Sequence, residues 1–424
     1  MGRPIAISGS RGFVQSCFLV MRLFGFVVLV CLVAGACGPS DTTAAVLEPV
    51  GERALSDPQA PTGDWVRGVN TAGWDFHRHL GGNAVSSPVS IGVAFSLARA
   101  GASSGSEAAL DKIFGFPRVG VHSAANTVDL SLAQASTDPT ILEIANRLFP
   151  DHDFSPLPEF LEIASARYGA AIQPIDTADP PAAVDSINQW VSETTRGLIP
   201  AIVTEDVVRD QRMILANTVY LKADWTDPFP ADLTSDGRFT TIDNRSVTVP
   251  FMHDLEPIDR RYVRLENADA VELAYQGGEL AMWLIVPHHR SGLGAVEESL
   301  DAQALTALAD TAQQGLVDLT MPKWEQTLPP TDLFEWLCPQ RFCAGAPFDG
   351  IAPGIFITAA LHSAKVIVDE KGTEAAAATG MGFPVEESPP ADLTIIADRP
   401  FLWTIIHQNT KVVLFIGRLT DPTA

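Results

Sequence analysis

The sequence predicts an α+β fold with large, mostly antiparallel or mixed β-sheets, and three observations carry that prediction. Helical periodicity dominates the first third of the folded part. β-rich runs dominate the last two thirds. One early helix, in "SSPVSIGVAFSLARAGA", is almost wholly apolar, which suits the centre of a core rather than a surface. The chain has 424 residues, 46% hydrophobic and 19% charged, so it has ample material for a core and is not a disordered chain. No repeat at a period of roughly 20 to 50 residues is visible.

Taken in order, the chain opens with an export signal. From Met21 it reads "MRLFGFVVLVCLVAGACGPS". Arg22 gives the positive start, and Leu23–Val33 is an apolar run too short to span a bilayer comfortably. Residues 1–36 are read as a signal peptide with its true start at Met21. Ala34, Gly35 and Ala36 precede Cys37, a pattern resembling a bacterial lipobox in which Cys37 carries lipid. The other reading is ordinary secretion with Cys37 incidental. The expected location is extracellular or on the cell envelope, with the outer membrane or cell surface favoured over the inner membrane. Residues 37–63, rich in Pro, Ala, Ser and Thr, read as a flexible tether.

The folded domain is expected over 64–424. "WVRGVNTAGWDFHRHL" places Trp65, Val69, Ala72, Phe76 and Leu80 at helical spacing. The apolar helix follows, opened by Ser and Pro capping signals. "VDSINQWVSETTRGLIPAI" is a further helix ended by Gly197 and Pro200. "MILANTVYLKADW", "ELAMWLIVP", "GLVDLTMPKW" and "KVVLFIGRL" read as strands.

Six segments, in order, resemble the serpin family over about residues 64–424. They are "NAVSSPVSI", "ANRLFP", "INQWVSETTRGLI", "LANTVYLKADWTDPF", "ALHSAKVIVDEKGTEAAAAT" and "DRPFLWTIIHQNTKVVLFIGRLTDP". The resemblance implies three β-sheets surrounded by eight or nine helices, and a reactive-centre loop at about 370–395. It implies a serine-type endopeptidase inhibitor and not an enzyme. The mechanism it implies is that of a suicide substrate, trapping the protease as an acyl-enzyme while the loop inserts into the central sheet. The partner is a serine protease, with a cysteine protease as a second class. A serpin-fold binding protein or protease substrate that traps nothing is the alternative. The hinge falls on Glu370, Gly372, Thr373, Glu374, Ala375, Ala376, Ala377, Ala378 and Thr379. In an inserted strand Thr373, Ala375, Ala377 and Thr379 share the inward face, and all are small. As a helix, the alanine run would span about two turns, marginal alone. Counting Glu370 as the first residue, the seventeenth and eighteenth are Glu386 and Glu387, the expected reactive bond. A loop shorter by one residue presents Val385 instead, and Phe383 is a further candidate.

Ser87, Ser90, Asn217 and His362 match family positions behind the central sheet, where they are expected to share a buried hydrogen-bond network. Ser87 fits a plain helix cap as well as a gating role. Trp225 matches the position where the hinge enters, against the plainer reading of a core tryptophan. Cys338 and Cys343 are read as a disulfide, against two unlinked thiols, since an exported chain permits one. The chain is expected to be monomeric and to reach a membrane only through its lipid. No cofactor or metal is expected: His77, His79, His288 and His289 lack ligand patterns and read as solvated. A net charge of −23 with no Lys/Arg cluster argues against a nucleic-acid partner. "GASSG" (Gly101–Gly105) fits a hydrolase nucleophile pattern, but a long helix precedes it where that pattern needs a strand.

Overall fold

Two hydrogen-bonded sheets and a set of covering helices make up the computed structural model, which describes Leu47, residues 52–373 and residues 389–424. All of these belong to one compact unit, Thr43–Ala424. The five-stranded sheet is ordered Trp324–Asp332, Ala359–Val368, Gly372–Thr373, Met213–Asp224 and Ile141–Pro150. The remaining strands form a ten-stranded network. Its link is Gln313–Pro322, which pairs with Ile258–Arg264, Ser246–His253 and Leu393–Ile396. That sharing joins two of the three expected sheets into one hydrogen-bonded path. Ten α-helical segments occur among the described residues. Glu205–Val208 and Phe334–Leu337, four residues each, account for the difference from eight or nine.

The apolar helix forms at Pro88–Arg99 for reasons legible in its sequence. Ser87 caps it, accepting from the Ser90 amide, and Pro88 fills the first turn, where a missing N–H costs nothing. Every residue from Pro88 to Ala98 is buried. The helix packs against Thr62–His79, whose Trp65, Val69, Ala72 and Phe76 are buried at the expected spacing. A small residue is required at the crossing: a Cβ at Gly92 would lie 2.6 Å from Val69. The helix Pro180–Thr194 ends as expected, with Arg196 and Gly197 both in the left-handed region. "GASSG" follows the Pro88–Arg99 helix and leads into the helix Ser104–Phe114.

Two expectations need correction. Residues 52–61 are held against the domain rather than forming a free tether, because their backbone and Arg53 bond to the helix Val121–Ala135. The first helix accordingly starts at Thr62. His77 is fully buried, not solvated: it stacks on Trp74 and bonds to Glu297, which also pairs with Arg418. No helix among the described residues is long and apolar enough to cross a membrane. Cys37 lies outside the described residues.

Candidate functional site

The five-stranded sheet carries a fork at its centre. Strands Met213–Asp224 and Ala359–Val368 run parallel and pair from Ala359↔Ile214 to His362↔Asn217. Beyond that rung no pairing joins them among the described residues. At the other end Gly372–Thr373 lies between them, pairing with Asp224 and Ala223 on one side and with Val368 on the other. The fork is thus closed at both ends by different means.

The buried polar cluster sits at the last parallel rung. Ser87, Ser90 and His362 are wholly inaccessible and Asn217 nearly so. The Ser87 amide donates to His362 Nε2 at 3.2 Å. That nitrogen must therefore be unprotonated, so Nδ1 carries the hydrogen and donates to Asn217 Oδ1 at 2.7 Å. Asn217 Nδ2 then donates to the Ser90 carbonyl at 2.7 Å and to Asn146 Oδ1. Ser90 Oγ donates to the Thr218 carbonyl at 3.3 Å. One helix and three strands are tied together by a network with a single proton arrangement. Burial drives the His362 pKa down to about 3, as expected for an imidazole that keeps a lone pair for an amide.

The segment from Asp369 to Thr373, where the hinge is expected, is anchored at the other end of the fork. The Trp225 amide donates to the Lys371 carbonyl at 2.6 Å, and its indole to the Asp369 carbonyl at 3.0 Å. Glu370 is fixed through its backbone by Phe229 and through its carboxylate by Lys323 at 2.7 Å and Thr234 at 2.7 Å. Burial would push the Glu370 carboxyl up, but those bonds outweigh it and hold it below its ordinary value. Gly372 admits no side chain, because a Cβ would lie 2.0 Å from the Ala223 carbonyl oxygen. Thr373 is buried, with its hydroxyl 2.7 Å from that of Tyr275. Tyr275 stacks on Trp225 with ring centroids 4.4 Å apart, and burial raises its phenol pKa, leaving it neutral.

Set beside known proteins, the chain matches a family model described as Serpin (serine protease inhibitor) over residues 76–422. The chain belongs to the serpin family. The serpin is 30% identical over 363 residues to the leukocyte elastase inhibitor of Bos taurus, covering 80% of this chain and 93% of that one. It is 33% identical over 361 residues to Serpin-Z2A of Triticum aestivum, covering 80% and 90%. Among solved structures it is similar in fold to the thermophilic serpin tengpin in its native state, with a TM-score of 0.75 at 24% identity, covering 88% of this chain and 97% of that one.

In this serpin the structure brings Ser87, Ser90, Asn217 and His362 into one network, and Trp225, Glu370, Gly372 and Thr373 into another. Ser87 is a helix cap and, through its amide, also a partner of His362. Cys338 and Cys343 are joined in a disulfide with Cα atoms 4.2 Å apart. Glu374, Ala375, Ala376, Ala377, Ala378, Thr379, Phe383, Val385, Glu386 and Glu387 lie outside the described residues. Sequence reasoning missed Tyr275, Asn146, Lys323 and Thr234. Each contributes through a contact far off in sequence; Asn146 stands within the quoted segment "ANRLFP", but Tyr275, Lys323 and Thr234 sit in no pattern that marks a role. Asp151, His152 and Asp153 bring one ligand atom each within 4.8 Å, but in an open turn where Asp151 already accepts from Thr177 and Asp153.

Proposed function

We propose that this serpin inhibits serine-type endopeptidases as a suicide substrate. A protease nucleophile attacks the carbonyl at the reactive bond and forms an acyl-enzyme. The loop then enters the fork as a new strand and carries the protease with it. Its catalytic groups are drawn out of register and deacylation stalls, since small misplacements cost large rate factors.

The observation that carries this reading is the position of Gly372–Thr373. Gly372 and Thr373, with which the expected loop begins, lie in the slot, and Thr373 is paired on both sides. Thr373 faces inward onto Tyr275, so strand alternation would send Ala375, Ala377 and Thr379 to the same buried face and Glu374 to the other. Small side chains there suit a tightly packed interior. The chain supplies no nucleophile to the chemistry; the protease does. The reactive bond is assigned to Glu386–Glu387, which calls for a protease pocket offering a cation or donors to a glutamate. Export through residues 1–36, lipid on Cys37, a monomeric state and a cell-surface location belong to the same reading.

The test uses a panel of purified proteases: glutamate-specific, elastase, subtilisin, chymotrypsin and trypsin. Each is mixed with the serpin, run on a denaturing gel, and the released C-terminal peptide is weighed. A denaturant-stable band at the summed mass is expected. A peptide starting at Glu387 supports the assigned bond, and one starting at Glu386 moves it to Val385. Quantitative clipping without any covalent band would leave a protease substrate and remove the inhibitory reading.

A further inference from the structure

Leu47 and residues 52–57 precede the part of the chain that matches the family model. They are fastened to the domain chiefly at two places, beside a bond of 2.8 Å from the Ala54 amide to the Ala166 carbonyl. The first is the sheet edge. Leu47 and Ile172 exchange backbone hydrogen bonds of 2.8 and 3.2 Å, and Ile172 in turn lies beside Leu148 in a parallel bridge. Leu148 belongs to the strand Ile141–Pro150, so Leu47 extends the outer edge of the five-stranded sheet through Ile172.

The second fastening is to the helix Val121–Ala135. The Arg53 guanidinium pairs with Asp129 and donates through Nε to Asn126 Oδ1 at 3.0 Å. The Asn126 side-chain amide donates back to the Ala54 carbonyl at 2.9 Å. The Asp57 amide donates to Thr127 Oγ1 at 3.0 Å. Asn126 is wholly buried, so its contacts are not surface accidents. This helix packs on the helices Thr62–His79 and Pro88–Arg99, and so belongs to the body behind the sheet. The helix also touches the edge strand Ile141–Pro150, and a cavity of about 300 Å³ lined in part by Asp129, Ile144, Tyr168 and Trp190 opens beside that contact.

We propose that Leu47 and residues 52–57 act as a latch that ties the sheet edge to the helix behind it and slows opening of the fork. The latch rests on the loop-insertion reading above. Full insertion must part the rungs from Ala359↔Ile214 to His362↔Asn217 and admit one strand. The strands Met213–Asp224 and Ile141–Pro150, with Ile172 and Leu47, must then shift by about 4.8 Å, one strand spacing. A segment bonded to both the moving edge and the fixed helix resists that shift until one fastening breaks. Arg53 and Asp129 are therefore positioning residues for insertion speed, acting through the sheet edge and the helix rather than on the protease.

The test uses the full chain with Arg53→Ala, Asp129→Asn, the charge swap Arg53→Asp with Asp129→Arg, and Arg245→Ala as control. Arg245 pairs with Asp243 and Asp421, away from the five-stranded sheet. Each protein is held in urea at a concentration where the wild type converts over hours. Conversion from a protease-sensitive loop to a heat-resistant form is then followed. Arg53→Ala and Asp129→Asn should convert roughly fivefold to thirtyfold faster, as expected for one or two lost interactions of ordinary strength. The swap should recover part of the wild-type rate, and Arg245→Ala should stay close to it. Arg53→Ala converting at the wild-type rate, or the control accelerating equally, overturns the latch. Wild type cleaved in its loop separates the two readings. If it gains no heat resistance, loop insertion itself fails; if it gains it while Arg53→Ala is unchanged, only the latch fails.

Discussion

Replacing His362 with glutamine should remove a defined part of the serpin's acid sensitivity. Folded His362 keeps Nε2 free for the Ser87 amide, and burial lowers its pKa from 6.5 to about 3. The unfolded chain titrates near the ordinary value, so it binds the extra proton first as pH falls. Stability from this group is full above about pH 6.5, declines below it, and levels off near pH 3. At pH 4.5 the gap is about two pH units, or about 2.7 kcal/mol at 1.36 kcal/mol per unit. Glutamine offers a donor and an acceptor and does not titrate. Unfolding in urea, followed by tryptophan fluorescence at about pH 7.5 and about pH 4.5, gives the loss for each protein. The wild type should lose about 2.7 kcal/mol more than His362→Gln. Equal losses would mean that His362 is not held neutral by its burial and the Ser87 amide.

Two further outcomes concern the hinge and the disulfide. Gly372→Val should expel the Gly372–Thr373 strand, since its side chain would meet the Ala223 carbonyl; limited proteolysis should then cut near Thr373 much faster, and an unchanged cutting rate would argue against the tight slot. Cys343→Ser opens a loop of about six residues and should cost about 2 kcal/mol by the loop-entropy relation, read as a lowered Tm; an unchanged Tm would leave the Cys338–Cys343 bond without a stabilising role.

Much of the fold was legible because it rests on local chemistry. The Ser87–Pro88 cap, the stripe Trp65, Val69, Ala72 and Phe76, and the β-rich runs around Met213 and Leu280 act within a few residues of themselves. The site was legible only where its residues stand inside such patterns. His362 and Asn217 lie in marked segments, whereas Tyr275 and Lys323 look ordinary until folding carries them to Thr373 and Glu370. His77 was misjudged because the sequence cannot show that Glu297 and Arg418 close over it. Residues 52–61 of the expected tether were misjudged for a related reason: a polar, proline-bearing stretch reads as free until Asn126 and Asp129 are there to receive it.

By itself the sequence determined the α+β class, the central apolar helix and the family to which its six segments point. Only the tertiary structure decided that the sheet forks after His362↔Asn217, that Gly372–Thr373 already fills the far end, and which proton His362 carries. The physical reason is range. Caps and periodicity act over a few residues, while register, burial and proton placement depend on partners supplied from distant parts of the chain.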